Sequence, residues 1–235
     1  MNLRHIAFWR RPPIADLEGL AAFVDEQSAF LVQKGMYEYS RARAGHYAKV
    51  LFNEPEFIEV LEQSRWRAFP LGLAMVAELI EGVLRSQAGD AQAQHQAPHR
   101  VPHLDGWRRL VLSVFDRYPA PAAVGEAAWR EARADLDRRL QALGLHPPKR
   151  AIDIPGPFAR TYWDLMPIAK EIRTADFPTT HNYLKITLCN VYEELTKRAD
   201  LPTLVRQLQS GAADSLSARS ADPATRSGST GRGVA

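Results

Sequence analysis

The chain has 235 residues, of which 46% are hydrophobic, 9% aromatic and 24% charged, with 14 Gly and 16 Pro. These values exclude collagen-like, coiled-coil, wholly disordered and disulfide-scaffold proteins, and the length suffices to bury roughly 70–75% of the surface exposed on unfolding. The formal net charge is +3, from 30 Lys+Arg against 27 Asp+Glu, and the two signs are interspersed. A dedicated nucleic-acid binder gathers its cations on one face, so nucleic acid is not an expected partner.

The first thirteen residues form an N-terminal arm that ends at Pro12-Pro13. They contain no apolar core of 7–15 residues, and Arg10-Arg11 follows the apolar residues instead of preceding them, so no export signal is read there. Asp16 is a candidate N-cap, followed by Leu17, Leu20, Ala21, Val24 and Leu31 at helical spacing. An unbroken helix over 16–52 would be about 55 Å long, which predicts a kink or break at Gly35 or Gly45. Glu54-Pro55 restarts a helix with Phe57, Ile58, Val60 and Leu61 on its apolar side.

Pro70 is predicted to open a separate helix that is apolar nearly all round, with only Glu78, Glu81 and Arg85 in a polar strip; such a helix belongs at the centre of its domain. The two glutamates are read either as a narrow solvent-facing strip or as candidates for a buried ion pair with Arg85 or another helix. The most apolar stretch, Phe69 to Leu84, contains both and is 16 residues long. Crossing a bilayer takes about 17–25, so no transmembrane segment is expected. Residues 88–103 hold one sizeable apolar residue, Val101, and read as a flexible loop.

Beyond that loop, Trp107, Leu110, Val111, Val114, Phe115 and Tyr118 trace a helix that Pro119 and Pro121 end. A helix over about 123–143 carries Trp129, Leu136, Leu140 and Leu143 inward, with Glu126/Arg130, Arg133/Asp137 and Asp135/Arg139 as i,i+4 pairs outside. Four prolines then make 146–157 an extended connector. Asp176 and Pro178 start the last long helix, with Leu184, Leu188, Val191 and Leu195 facing the core, and a short helix runs from Leu201 to Leu208. Residues 210–235, rich in Ser, Ala and Gly, lack the apolar content to offset chain entropy and are expected to be disordered.

The segment from Tyr37 to Tyr47 is the most suggestive for chemistry. On a helix Tyr39, Arg43 and His46 share a face, giving an oxyanion fork and two proton donors for an anionic or carbonyl ligand; the alternative is a packed helix surface with polar tips in water. At a predicted helix junction Trp66, flanked by Arg65 and Arg67, could stack on an aromatic ligand or plug a hinge. His95, His99 and His103 recur every four residues, but Pro98 and Pro102 interrupt the helix a metal site would need. His181, in the first turn of its helix, is expected to stay neutral because the dipole disfavours its charged form. The single cysteine, Cys189, cannot form an internal disulfide, which fits a reducing compartment. Serine elbow, Walker loop, dinucleotide fingerprint, Cys-x-x-Cys pair and inward Glu-x-x-His pairs are all absent.

Met36 to Gly45, Trp66-Arg67 and Tyr162-Trp163-Asp164 resemble a small uncharacterised alphaproteobacterial family in which similar Tyr-Glu-Tyr-Ser-Arg-Ala-Arg and Arg-Trp-Arg strings occur, over most of residues 16–200. Some members carry the label "esterase". Without a serine elbow here, the resemblance implies no catalytic residue.

The sequence therefore predicts one all-α domain of about seven to nine helices over 14–209, built around the helix from Pro70 to Leu84, with no cofactor and no metal. The expected function is a cytoplasmic, non-enzymatic interaction or assembly factor whose partner is another protein. The alternative is a small-ligand binder or esterase-like hydrolase using Tyr39, Arg43 and His46 with Trp66 and Arg67. A third reading, nucleic-acid binding through Arg4, Arg10, Arg11, Lys149 and Arg150, draws on separate segments with no motif between them.

Overall fold

A computed structural model of the chain describes residues 12–88, 102–168 and 175–210. The elements run α1 (Leu17–Ala44), a 3-10 turn (Gly45–Tyr47), α2 (Ala48–Leu51), α3 (Pro55–Gln87), α4 (Pro102–Phe115), α5 (Glu126–Ala142), a second 3-10 turn (Leu143–Leu145), α6 (Gly156–Asp164), α7 (Phe177–Arg198) and α8 (Leu201–Gln209). The fold is all-α. Among the described residues β pairing is limited to one bridge, in which Ile14 N–H donates to the Arg198 carbonyl (2.9 Å) and Asp200 N–H to the Ile14 carbonyl (3.0 Å). The expectations for residues 1–11, for 89–101 of the loop and for the tail after Ser210 lie outside the described residues.

Helix α1 begins where the sequence places it: the Asp16 carboxylate accepts the Gly19 N–H at 2.7 Å, satisfying one of the orphan donors of the first turn. Of the two glycines expected to break it only Gly45 ends the helix, at φ +54°, a conformation that costs glycine little. Gly35 stays helical and serves a close approach instead. Tyr162 of α6 and Tyr183 of α7 both donate their hydroxyls to the Leu31 carbonyl (3.3 and 2.9 Å), and a Cβ at Gly35 would collide with them. Gly72 does the same for the α1/α3 crossing, where a Cβ would meet Val32 and the Ser28 carbonyl oxygen.

Pro70 does not open a helix. It lies inside α3, which is continuous over 33 residues. Proline lacks the N–H that would bond the carbonyl four residues back, but Pro70 is buried between Phe69 and Gly72 in the core, and packing on both sides overrides that local penalty. The expected centre of the domain stands: α3 is buried from Ala68 to Arg85 along its inward faces and contacts α1, α4, α5, α6, α7 and α8. One continuous apolar cluster extends from Ile14 to Leu208.

Three further corrections concern the second half. The loop after α3 ends sooner than residue 103, because α4 already begins at Pro102. Only Asp135–Arg139 forms on α5 as expected (2.8 Å); Arg133 reaches Asp116 (2.6 Å) and Asp137 receives Arg108 from α4 (2.8 Å), so these charges join helices instead of decorating one. The extended connector is confined to 146–150, since turns occupy 151–155 and α6 starts at Gly156 with Pro157 in its first turn, where proline is tolerated. The stripe of α7 packs as read, with Leu184, Leu188, Val191 and Leu195 all buried.

Candidate functional site

Tyr39 and Arg43 lie on one face of α1, one turn apart, and converge on a single carboxylate. The Tyr39 hydroxyl donates to Asp176 Oδ2 at 2.8 Å, and Arg43 Nε lies 3.2 Å from the same oxygen. Asp176 occupies the N-cap position of α7 without capping it, so its charge ties α1 to α7. His46 does not join them: it falls beyond the break at Gly45, is exposed, and its ring lies 4.2 Å from that of Tyr47.

Trp66 is engaged elsewhere. It sits in an aromatic cluster with Phe69, Tyr118 and Trp129, centroids 5.4 to 6.0 Å away, in edge-on geometries that suit the ring quadrupole. Arg65 covers its ring at 4.7 Å, while Arg67 is exposed. In the same cluster burial, reinforced by a 2.7 Å hydrogen bond to Asp25, pushes the Tyr118 phenol up to about 12. His181 stacks on Phe177 at 5.8 Å, and burial, with Lys185 adding to it, lowers its pKa. The imidazole is held toward its neutral form, as the sequence reading expected, but burial and Lys185 are the cause.

The chain's recesses lie on another side, where α3 faces the proline-rich connector. A small cavity of about 180 Å³ is bounded by α3, the end of α5, His146 to Lys149 and the start of α6. Its inner wall is the ion pair Glu81–Arg85, with side chains 1% and 4% exposed and Nε 2.9 Å from Oε1. Arg85 also donates to Glu81 Oε2 (2.9 Å) and to the carbonyls of His146 (2.7 Å) and Leu143 (3.3 Å). Helix α5 thus ends on a buried cation, which satisfies carbonyls that have no partner within the helix. Nearer the mouth Lys149 Nζ meets Glu78 Oε1 at 2.7 Å.

On the other side of Pro148 and Lys149 opens a broader groove of about 730 Å³, between Leu79 and Val83 of α3, Ile152 of the connector, Cys189 and Tyr192 of α7, and Leu201. Among the described residues the Lys and Arg side chains lining it are Lys149 and Arg150, and no described carboxylate lines it. Neither recess includes Tyr39, Arg43, His46, Trp66 or Arg67. Sequence reasoning reached Glu81–Arg85 as one of two alternatives and missed both recesses. The available signal was the run of prolines opposite an apolar helix: a segment of rigid rings with few N–H donors does not interdigitate with its neighbour as a helix would.

Among the described residues no group of three or more His, Cys, Asp or Glu is placed to hold a metal. His103 is buried in the first turn of α4, and His95 and His99 lie outside the described residues. No described helix is long and apolar enough to cross a membrane. The chain matches no family model, no curated protein and no solved structure.

Proposed function

We propose that the chain is a cytoplasmic, non-enzymatic interaction or assembly factor that receives an apolar segment of another protein, bearing an acidic residue at one end, in the groove between α3, α7 and the connector. The observation that carries this reading is the groove itself: its floor is Leu79, Val83 and Leu201, and Ile152 and Tyr192 at its edge are 44% and 45% exposed. Contiguous apolar surface of this kind, rimmed by polar groups, marks interaction sites, and aromatic anchors in a concave patch are where binding energy concentrates. Lys149 and Arg150 at one end select for a carboxylate on the incoming segment.

Other features weigh on the same side. The sharing of Asp176 by Tyr39 and Arg43 supports a structural link between helices over a ligand site. Lys149 and Arg150 are held by Glu78 and Asp153, so two paired cations, not a stripe of them, face the groove. A single cysteine fits a reducing compartment.

The test is selection of a random peptide library on the full chain, with Ile152→Asp as the counter-selected control. Enrichment of peptides with apolar residues next to an acidic one, bound by the wild type and about tenfold or more weaker to Ile152→Asp, is the expected result. No enrichment, or peptides indifferent to the substitution, overturns the proposal.

A further inference from the structure

The small cavity beside the groove has its own lining of charges and shares only Pro148 and Lys149 with it. We propose that this cavity, between α3, the end of α5 and the connector, is a binding site for a small zwitterion of the α-amino acid class. At about 180 Å³ it is far larger than the roughly 10–15 Å³ that seats one water. It is also smaller than the roughly 300–1,000 Å³ pockets that take drug-sized ligands.

Two ion pairs line the cavity and play different parts. Glu81 and Arg85 are spent on each other and on the Leu143 and His146 carbonyls, so they form a rigid wall. Glu78 and Lys149 are the pair that can open. Glu78 is fixed on the central helix with its side chain 14% exposed, whereas Lys149 is 41% exposed on the connector. Lysine carries its point charge on a flexible four-carbon stem and can swing away.

The charge balance then selects the ligand. An anion taking the place of Glu78 strands a mostly buried carboxylate, which is strongly disfavoured; a cation taking the place of Lys149 releases that half-exposed ammonium to water and makes only one of the two charge contacts. A molecule carrying both charges inserts into the pair and satisfies each half, its ammonium on Glu78 and its carboxylate on Lys149. Arg139 also lines the cavity, held by Asp135 and lying over the Phe158 ring. Leu140, Leu143 and Phe158 offer the apolar wall for a short aliphatic side chain.

The experiment is a titration of the full-length protein, followed by amide resonances, with each common amino acid at millimolar concentration. Isoamylamine and isocaproate, which each keep one of leucine's two charges, serve as controls. We expect at least one amino acid to give saturable shifts at Glu78, Leu143 and Lys149, with both single-charge controls about tenfold or more weaker. Glu78→Gln and Lys149→Met should each weaken binding by a similar factor, while Asp153→Asn leaves it unchanged. Lys149 is half-exposed, so Lys149→Met remains informative even if Glu78→Gln does not fold. No saturable shift from any amino acid, equal binding of either single-charge control, or unchanged binding in Lys149→Met overturns the assignment.

Discussion

Helix α3 has two sides built on different terms. Against α1 it presents Gly72, so that Ser28 and Val32 approach its backbone, and the neighbouring gap at Gly35 is filled by the Tyr162 and Tyr183 side chains. Against the connector it presents Glu78, Glu81 and Arg85 and meets Pro147, Pro148 and Pro157. Helix against helix interdigitates to crystal-like density. A proline-rich connector brings few N–H donors and rigid rings, charged residues of α3 reach across to hold it, and space is left beside them. The recesses follow from that difference.

Breaking the connector side should have the largest effect on stability. Arg85→Met leaves Glu81 buried without its partner and frees the Leu143 and His146 carbonyls, so a loss of about 3–5 kcal/mol is expected in denaturant unfolding. Adding Glu81→Leu to Arg85→Met should restore part of that loss, because the uncompensated charge is then gone. A double variant as unstable as the single one would mean that the carbonyl contacts, not the charge, dominate.

On the packed side Gly35→Ala places a methyl group against both tyrosines and should cost about 1–3 kcal/mol by overpacking. Tyr183→Phe in the same chain will not relieve it, since the ring carbon that meets the new methyl group and the Tyr162 hydroxyl both remain. Equal thermal stability of Gly35→Ala and wild type would show that the close approach is dispensable.

Smaller effects belong to the partly exposed links. The Arg108 hydrogen bond, the first cause, holds the Asp137 carboxyl below its usual range. Because the folded carboxyl is the stronger acid, its stabilisation is complete above the ordinary aspartate pKa of about 3.9 and fades as the pH falls below it. The melting difference between wild type and Asp137→Asn should therefore be present at neutral pH and shrink in acid. A difference that grows in acid contradicts the assignment. Asp176→Asn, which weakens the Tyr39 and Arg43 link, should cost about 1 kcal/mol or less, given the exposure of the pair.

Most of the fold was legible because its signals are local and periodic. The Asp16 cap, a break at one of Gly35 and Gly45, the α7 stripe and the centrality of residues 70–84 each follow from spacing within one helix. What escaped the sequence depends on neighbours. Pro70 reads as a helix start until Gly72 and α1 are seen to pack across it, and Arg133 and Asp137 read as a pair until Asp116 and Arg108 prove nearer. The candidate site was the least legible part. Tyr39 and Arg43 were placed on one face correctly, yet their partner Asp176 lies 137 residues from Tyr39, and Gly45 turns His46 away. The recesses arise where a connector fails to fill space, which no periodicity encodes.

A second exposed apolar set, Tyr47, Val50, Ile58 and Val60 around the turn after α1, makes the choice of face testable. The direct measurement is a map of amide shifts on adding a peptide selected on the full chain. Binding in the groove predicts shifts gathered at Val83, Ile152, Cys189 and Tyr192. Shifts gathered instead around Tyr47 and Val50, with the connector unmoved, would contradict it.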